Sequence, residues 1–348
     1  MSKLCRIPSG LLVASVLLTV LGGCASDGQD ESERLVLYCA HDAQFAEPII
    51  AEFERQTGIR VDVRFDEEAN KSLGLTTLLM SEGQDGQQAR CDVFWNNQTL
   101  GTIRLQKAGI LQPWHSSSAD RFPERFRDPD FHWTGFAGRL RVYLVNTDQM
   151  PATQEAVDQL LDGESLLRFA VARPMFGTTL SHYSVLQAEY GEDWLKAWHT
   201  DVRRRGVREV RGNSMCRDLV AEGICDACWT DTDDAFVALD AGRPVGMLPV
   251  RLDDGRTICL PNSVAMIRGC PHPEAAKRLI DFLLSEDVER RLAASSARQI
   301  PLGTLDDRPL PDDVRQLQEW ASESVSLQPA AEVNQAVLDW LTAESTGQ

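Results

Sequence analysis

The sequence predicts an α/β protein built as two lobes. From residue 35 onwards short apolar strands alternate with amphipathic helices, a rhythm typical of parallel strands joined by crossover helices. The chain has 348 residues, more than one hydrophobic core usually holds, so we expect two lobes. Hydrophobic residues make up 43% of the chain, a fraction typical of folded globular proteins.

The first thirty residues predict an export signal. Lys3 and Arg6 precede a short apolar run, which falls below the roughly 20 apolar residues that a membrane-spanning helix needs. Two glycines and Cys24 follow, and this order resembles the bacterial lipoprotein signal. We therefore expect residues 1–23 to be removed, Cys24 to carry a lipid and residues 24–34 to form a linker. The alternative is an ordinary secretory signal in which Cys24 is incidental.

The net charge argues against nucleic acid as a partner. The full chain has 35 Lys and Arg against 52 Asp and Glu, a net charge of −17 that becomes −19 when Lys3 and Arg6 leave with the signal. A chain this acidic repels phosphate backbones. We therefore expect no nucleic-acid partner.

Seven cysteines remain beyond the signal and the predicted anchor. An odd number in a compartment that permits disulfides leaves at least one thiol over. Cys225 and Cys228 form a CxxC pair that leads into an apolar strand, whereas a redox pair needs a helix N-terminus. A structural disulfide or buried thiols are therefore favoured over redox chemistry or zinc binding.

Apolar periodicity predicts the elements of the first part of the chain. Phe45, Ile49 and Phe53 recur every four residues and predict a helix over 42–56 that ends at Gly58. Apolar and polar residues alternate over 59–65, which predicts a strand with one buried face. The remaining predicted elements of this part are strands over 35–38, 92–95 and 140–145, helices over 73–80 and 99–107, and a loop over 112–132.

The same rules predict a second α/β set after residue 150. Trp194 and Trp198, four residues apart, indicate the buried face of one helix. The 257–267 segment is either a strand pair or one long strand. The other predicted elements are strands over 169–172, 207–210, 227–230 and 245–250, helices over 179–190, 214–222, 233–241, 273–284 and 287–294, and an amphipathic helical tail over 312–341.

Polar segments follow several of the predicted strands. In open α/β sheets, ligands bind beyond the carboxyl ends of the strands. Most of these segments also open a helix, whose free N–H groups suit anions or polar groups. The ligand-binding residues predicted in this way are His41, Asp42, Asn97, Thr178, Asn213, Ser214, Asp233 and Asp234.

Several segments, taken together and in order, resemble the periplasmic substrate-binding proteins of ABC importers, in the branch that includes ferric-iron-binding proteins. The segments that carry the likeness are 37–42 (LYCAHD), 53–61 (FERQTGIRV), 91–98 (CDVFWNNQ), 108–111, 231–234, 260–262, 271–276 and 282–285. The likeness covers about residues 35–302. It implies the type II periplasmic-binding-protein fold, in which each lobe is a mostly parallel sheet flanked by helices and crossing strands join the two lobes.

The resemblance also implies domain boundaries. The first lobe takes residues 35–138 together with about 260–302, and the second lobe takes residues 139–259. Residues 303–348 form a C-terminal helical tail that packs on a lobe.

The function that the resemblance implies is that of a substrate-binding lipoprotein in an ABC importer of the iron(III)-transport type. Such a protein captures a small solute between its lobes by hinge closure and delivers it to permease and ATPase subunits. We expect a monomer in the periplasm, held to a membrane through its lipid alone. No cofactor is expected, apart from Fe³⁺ or another metal as cargo. No catalytic motif is present, so we expect no enzyme activity.

The iron ligands of these relatives are matched only in part. The relatives use a histidine after the first strand, a glutamate after the strand that matches 92–95, and two adjacent tyrosines. Those positions fall here on His41, on Asn97 or Gln98, and on the pair at 233–234. The chain has four tyrosines, of which no two are adjacent, so the phenolate site is absent.

Two ligand chemistries stay open at this point. Asp233 and Asp234, with His41 or Asp42, could supply oxygen and imidazole ligands to a metal ion. Alternatively, the carboxylates pair with an amine on an organic solute. A third interpretation is that Asp231 or Asp233 only caps the helix that begins there.

In the organic alternative, Asn97, Thr178 and Ser214 hydrogen-bond the polar end of the solute. The resemblance makes polyamines, thiamine and aminophosphonates the organic solutes to consider, since related branches carry them. It also leaves open a sensor subunit that signals to a membrane receptor instead of a permease.

Overall fold

The structure is a computed structural model that describes residues 33–66, 73–84 and 89–347. The predicted signal peptide, Cys24 and most of the predicted linker lie outside these ranges. The described residues belong to one compact unit, Ser32–Gln348. No helix within the described ranges is both long enough and apolar enough to cross a membrane.

The strands of the described residues form one mixed sheet. Their order is β2-β1-β3-β10-β5-β8-β6-β7, with β4 beside β10 and β9 beside β5. The strands are β1 (Arg34–Cys39), β2 (Arg60–Phe65), β3 (Val93–Asn96), β4 (Leu111–Gln112), β5 (Thr134–Asn146), β6 (Phe169–Ala172), β7 (Arg208–Val210), β8 (Ala227–Asp231), β9 (Val245–Pro249) and β10 (Cys259–Ile267).

Helices connect these strands and form the C-terminal segment. Within the described ranges they are α1 (Ala43–Thr57), α2 (Leu73–Gln84), α3 (Thr99–Lys107), α4 (Gln154–Asp162), α5 (Gly177–Tyr190), α6 (Glu192–Arg204), α7 (Asn213–Ala221), α8 (Thr232–Asp240), α9 (Pro273–Leu283), α10 (Glu286–Ala293), α11 (Asp312–Ser322) and α12 (Gln328–Thr346). The predicted α/β class is confirmed.

Strand β5 links two halves of the sheet. Its residues 134–140 pair with β10, and its residues 141–146 pair with β8 and β9. On one side β1 runs parallel to β2 and β3, and on the other β6 runs parallel to β7 and β8. We call β1–β4 and β10 with their helices the first half, and β6–β9 with theirs the second half.

Helix α1 illustrates how the apolar pattern becomes packing. Ile49 and Phe53 are buried, as their spacing predicts. Gly58 follows the helix with φ 72° and donates its N–H to the carbonyl of Glu54 at 2.8 Å. Glycine adopts this left-handed conformation without steric cost, so the helix ends where the sequence indicates.

Some element predictions are wrong in detail. Trp194 stacks on Trp198 but is 41% exposed, because helix α6 lies at the surface. Helix α4 has no counterpart among the predictions, although Thr153 caps it by accepting a hydrogen bond from the N–H of Ala156. The predicted helical tail consists of the two helices α11 and α12, and α12 contacts both α5 and α3.

All seven cysteines of the described residues are free and buried. Cys225 and Cys228 therefore correspond to the buried-thiol alternative rather than to a disulfide. Burial, followed by the neighbouring thiol of Cys216, raises the pKa of Cys228 well above its usual value. A protonated, inaccessible thiol is a poor nucleophile, which agrees with a packing role.

Candidate functional site

Three carboxylates meet where strand β8 ends and helix α8 begins. Asp231 is the last residue of β8, and Asp233 and Asp234 lie in the first turn of α8. One ligand oxygen from each side chain can be chosen so that all three lie within 4.8 Å of one another. We call these three residues the acidic cluster. Its geometry suits a cation, because hard cations prefer carboxylate oxygens.

Asp231 is the buried anchor of this cluster. Its carboxylate accepts hydrogen bonds from Arg141 Nη1 at 2.7 Å, from Thr178 Oγ1 at 2.7 Å and from Asn213 Nδ2 at 3.0 Å. Arg139 Nε lies 3.5 Å away. Asp231 occupies the N-cap position of α8, but its side chain makes no capping hydrogen bond. The capping interpretation therefore does not describe what Asp231 does.

Arg141 is fully buried in strand β5. Besides Asp231, its Nη1 donates to Thr178 Oγ1 at 3.2 Å and to Asn213 Oδ1 at 3.3 Å. Side chains two apart on a strand share a face, so Arg139 and Arg141 both reach Asp231. Arg139 and Arg141 were not among the predicted residues of the site, and Asp231 was considered as a helix cap rather than as a ligand. Two arginines within an otherwise apolar strand are the signal that could have found them.

The two remaining carboxylates of the cluster hold protons more tightly than usual. Burial, followed by the charge of Asp231, raises the pKa of Asp233 to about 6. Burial, the charge of Asp233 and then that of Asp231 raise the pKa of Asp234 to about 8, against the opposing effect of Arg217. At neutral pH the cluster therefore retains a proton, which a bound cation would displace.

Asp42 reaches the acidic cluster from the first half. It lies at the N-cap position of α1 without capping that helix. Its carboxylate is close enough to Asp233 to contribute to the raised pKa of Asp233. Asp42 also lines a pocket of about 360 Å³ with His41, Phe65, Asp66 and residues 40, 43 and 44.

His41 is buried beside Asp42. Its ring stacks between Phe45 and Trp95, with centroids 5.9 and 5.2 Å apart. Its Nε2 lies 3.1 Å from Nε2 of Gln299. These contacts hold the imidazole against the first half.

One polar contact joins the two halves, and a second joins β5 to the first half. Ser181 Oγ in α5 donates to Gln98 Oε1, at the start of α3, at 3.0 Å. Arg139 Nη2 in β5 donates to the backbone carbonyl of Asn97 at 3.0 Å.

The structure places the predicted ligand residues differently. Thr178, Asn213, Asp233 and Asp234 gather around Asp231, and the charge of Asp42 contributes to the raised pKa of Asp233. Asn97 is linked to this group through its backbone carbonyl, which accepts a hydrogen bond from Arg139. Ser214 is exposed in the first turn of α7, and the described residues include no hydrogen bond from it to the cluster.

None of the four tyrosines, all within the described residues, contacts the acidic cluster. Tyr183 bonds His199 Nδ1 at 3.0 Å, and Tyr190 accepts from the N–H of Asp253. Tyr38 hydrogen-bonds Glu82. Burial raises the pKa of Tyr143 to about 12.

A second group of possible metal ligands is Asp128, Asp130 and His132, in the loop before β5. The Asp128 carboxylate already accepts from Gln106 Nε2 at 2.6 Å and contacts His132 Nδ1 at 2.8 Å. These contacts tie the loop to Gln106 of helix α3.

Comparison with known proteins identifies a family and a fold. The model of a family described as bacterial extracellular solute-binding protein matches residues 35–295. Iron uptake protein A1 of Synechocystis sp. is 25% identical over 332 residues, which cover 91% of this chain and 89% of that protein.

Solved structures agree with this match. Iron-bound HitA from Pseudomonas aeruginosa superposes with a TM-score of 0.76 at 18% identity, covering 89% of this chain and 99% of that one. The apo ferric ion-binding protein A of Pasteurella haemolytica gives 0.75 at 21% identity, covering 90% and 97%. The chain therefore has the fold of these two-lobed proteins.

Proposed function

The chain belongs to the family of bacterial extracellular solute-binding proteins, and we propose that it is the substrate-binding component of an ABC importer of the iron(III)-transport type. This family binds solutes and is not an enzyme family. The observation that carries the proposal is the acidic cluster of the second half, together with Asp42 of the first half, whose charge helps to raise the pKa of Asp233.

Ferric iron is the cargo that this cluster suits best. Fe³⁺ is a hard cation that prefers oxygen ligands, and Asp231, Asp233 and Asp234 offer carboxylates within 4.8 Å of one another. Burial is the main cause of the raised pKa values of Asp233 and Asp234, and repulsion from the neighbouring carboxylates of the cluster adds to it. A trivalent cation relieves this repulsion and releases protons. The relative from Synechocystis sp. is named as an iron uptake protein.

Capture of the cargo follows from where its ligands lie. Asp42 belongs to the first half, Asp233 to the second, and strand β5 joins the two. A cargo held by both carboxylates is bound fully only when the halves are close together. Binding therefore shifts the balance towards a closed state, which partner permease and ATPase subunits would recognise.

Thermal denaturation of the chain from residue 25 onwards tests this function. Ferric citrate should raise the melting temperature, because a ligand present at a hundredfold excess over its dissociation constant stabilises by about 2.7 kcal/mol. The double variant Asp233→Asn/Asp234→Asn should lose this rise. Asp240→Asn, at the other end of helix α8, is the matched control and should keep it. No rise with ferric citrate would reject iron as cargo.

An organic cation is the second candidate cargo. The observation that favours it is the lack of contact between any tyrosine and the acidic cluster, which instead has the hydroxyl of Thr178 and the amide of Asn213 beside Asp231. An amine would pair with the carboxylates while these groups bind its polar part. Stabilisation by a polyamine, thiamine or an aminophosphonate, without stabilisation by ferric citrate, would select this candidate. A sensor subunit would bind the same cargo but signal to a membrane receptor.

We further propose a periplasmic monomer anchored through a lipid on Cys24. The support is the sequence around Cys24, together with the absence of a membrane-spanning helix from the described ranges. The full chain should partition into detergent after expression in bacteria, and Cys24→Ser should move it to the aqueous phase. Aqueous partition of both proteins would reject the anchor. Native mass spectrometry would give the oligomeric state.

A further inference from the structure

A chain of three polar side chains ends at the imidazole of His41. Asn262 Nδ2 in β10 donates both to the backbone carbonyl of Ala137 in β5 and to Gln299 Oε1, the latter at 2.9 Å. Gln299 Nε2 then lies 3.1 Å from His41 Nε2. All three side chains are at least 94% buried. Water therefore does not compete for these contacts.

The backbone carbonyl of Ala137 fixes the direction of every hydrogen bond in this chain. A carbonyl oxygen only accepts, so Asn262 must turn its amide nitrogen towards it. The same nitrogen faces Gln299, which must therefore present its oxygen to Asn262. The amide nitrogen of Gln299 is then left to face His41, and an amide nitrogen only donates.

Ala137 is held in place by its own contacts. Its φ is 45°, which is rare for a residue other than glycine, and the pairing of β5 with β10 shifts register beside it. Its N–H donates to Glu289 Oε1 at 3.0 Å, and Glu289 is fully buried against Arg121 at 2.7 Å. The carbonyl that starts the chain is therefore rigidly positioned.

We infer that Asn262 and Gln299 hold His41 as the neutral tautomer with its proton on Nδ1. The lone pair of Nε2 accepts the hydrogen bond from Gln299, so it is not free to bind a metal ion. Gln299 and Asn262 are positioning residues, and they keep Nε2 of His41 from ligating a cation.

This assignment separates His41 from the carboxylates in the proposed site. The carboxylates of the acidic cluster and Asp42 attract positive charge, whereas the Nε2 lone pair of His41 already accepts from Gln299. The assignment of the tautomer does not depend on the proposed function. The conclusion that His41 does not ligate a cation cargo rests on that function.

Long-range ¹H–¹⁵N correlation spectra of the mature protein test the tautomer directly. Neutral imidazole nitrogens with and without a proton have well-separated ¹⁵N shifts, and His41→Gln identifies the resonances of His41. We expect Nδ1 at the protonated position and Nε2 at the unprotonated position. The reverse pattern would overturn the inference, and this measurement on the wild-type protein needs no positioning variant.

The variant Gln299→Glu tests the role of the positioning residues. A carboxylate can accept from both Asn262 and His41, so the His41 proton should move to Nε2 and the two ¹⁵N shifts should exchange or converge. Gln316→Glu, an exposed substitution with the same change of charge, should leave both shifts in place. Unchanged shifts in a folded Gln299→Glu protein would show that Gln299 does not set the tautomer.

Gallium citrate separates failure of this inference from failure of the proposed function. Ga³⁺ is a diamagnetic trivalent cation, so the spectra stay readable. A rise in melting temperature with His41 Nε2 still bonded to Gln299 supports both statements. A rise in melting temperature together with a ¹⁵N shift of His41 Nε2 typical of a metal-bound nitrogen overturns the inference but not the proposed function. No rise in melting temperature counts against the cation cargo but leaves the tautomer measured.

Discussion

Arg141 Nη1 donates to the carboxylate of Asp231 at 2.7 Å, and neither side chain is more than 5% exposed. Arg141 lies on β5, which joins the two halves of the sheet, and Asp231 ends β8 in the second half. This ion pair therefore links the acidic cluster to β5, the strand that pairs with strands of both halves.

Removal of the arginine should strongly destabilise the protein. Arg141→Met removes the arginine that donates to Asp231 at 2.7 Å and leaves this carboxylate buried, and breaking a buried pair from one side costs about 3–5 kcal/mol. Urea denaturation should show a loss of about 3 kcal/mol in the free energy of unfolding.

The control for this loss is an exposed pair. Arg315 and Asp312 lie in the first turn of α11, with side chains 61% and 91% exposed. Exposed pairs contribute about 0–1 kcal/mol, so Arg315→Met should change stability by less than about 1 kcal/mol. Equal losses in the two variants would show that Arg141 does not act through a buried ion pair.

The spacing of residues close together in the sequence was sufficient to predict most helices and strands and part of the candidate site. Helix α1 could be predicted because its signals lie close together in the chain. Its apolar residues Phe45, Ile49 and Phe53 recur every four positions, and Gly58 ends the helix in a left-handed conformation. Asp233 and Asp234 were predicted as ligands because they follow a strand and open a helix. Their position within the acidic cluster agrees with that argument.

Partners far apart in the chain could not be predicted in this way. Arg141 and Asp231 are 90 residues apart, and His41 and Gln299 are 258 apart. No periodicity links such pairs, because the order and register of the strands bring them together. His41 was one of two candidate ligands of the first half because it follows the first strand, and the contact of its Nε2 with Gln299 could not be predicted from that position.

The acidic cluster should make the stability of the cargo-free protein fall as the pH rises. Folding raises the pKa of Asp233 to about 6 and of Asp234 to about 8, so the folded state binds more protons than the unfolded state above about pH 4. The stabilisation from these protons is complete below the unfolded pKa and is lost as the pH rises through 6 and then 8. Thermal denaturation between pH 5 and 8.5 measures the slope.

Asp234→Asn should flatten this slope and stabilise the cargo-free protein at pH 8.5 by at least about 1.4 kcal/mol, the equivalent of one pKa unit. The matched control is Asp240→Asn on the same helix. A hydrogen bond from Arg298 lowers the pKa of Asp240, so this carboxyl stays ionised across the range. Its loss should leave the slope unchanged. A slope that survives Asp234→Asn would contradict the raised pKa of Asp234.

The contact between Ser181 and Gln98 should favour the closed state. Ser181 Oγ donates from the second half to Gln98 Oε1 in the first at 3.0 Å, and a net hydrogen bond contributes about 0.5–1.5 kcal/mol. Ser181→Ala should therefore weaken cargo binding by about two- to tenfold in calorimetric titration. Ser322→Ala, whose hydroxyl bonds only the carbonyl of Glu319 within α11, should bind as the wild type does. Equal affinities for all three proteins would mean that this contact does not stabilise closure.

The ferric complex should show no phenolate-to-iron charge-transfer band in the visible range. Such a band requires a tyrosinate bound to the metal. Burial raises the pKa of both Tyr143 and Tyr183, which keeps these side chains protonated. Tyr183 is also held by His199. Absorption spectra recorded during titration with ferric citrate should therefore change only in the ultraviolet, while the melting temperature rises. A strong visible band that disappears on substitution of a single tyrosine would place a phenolate on the iron and reject the carboxylate site.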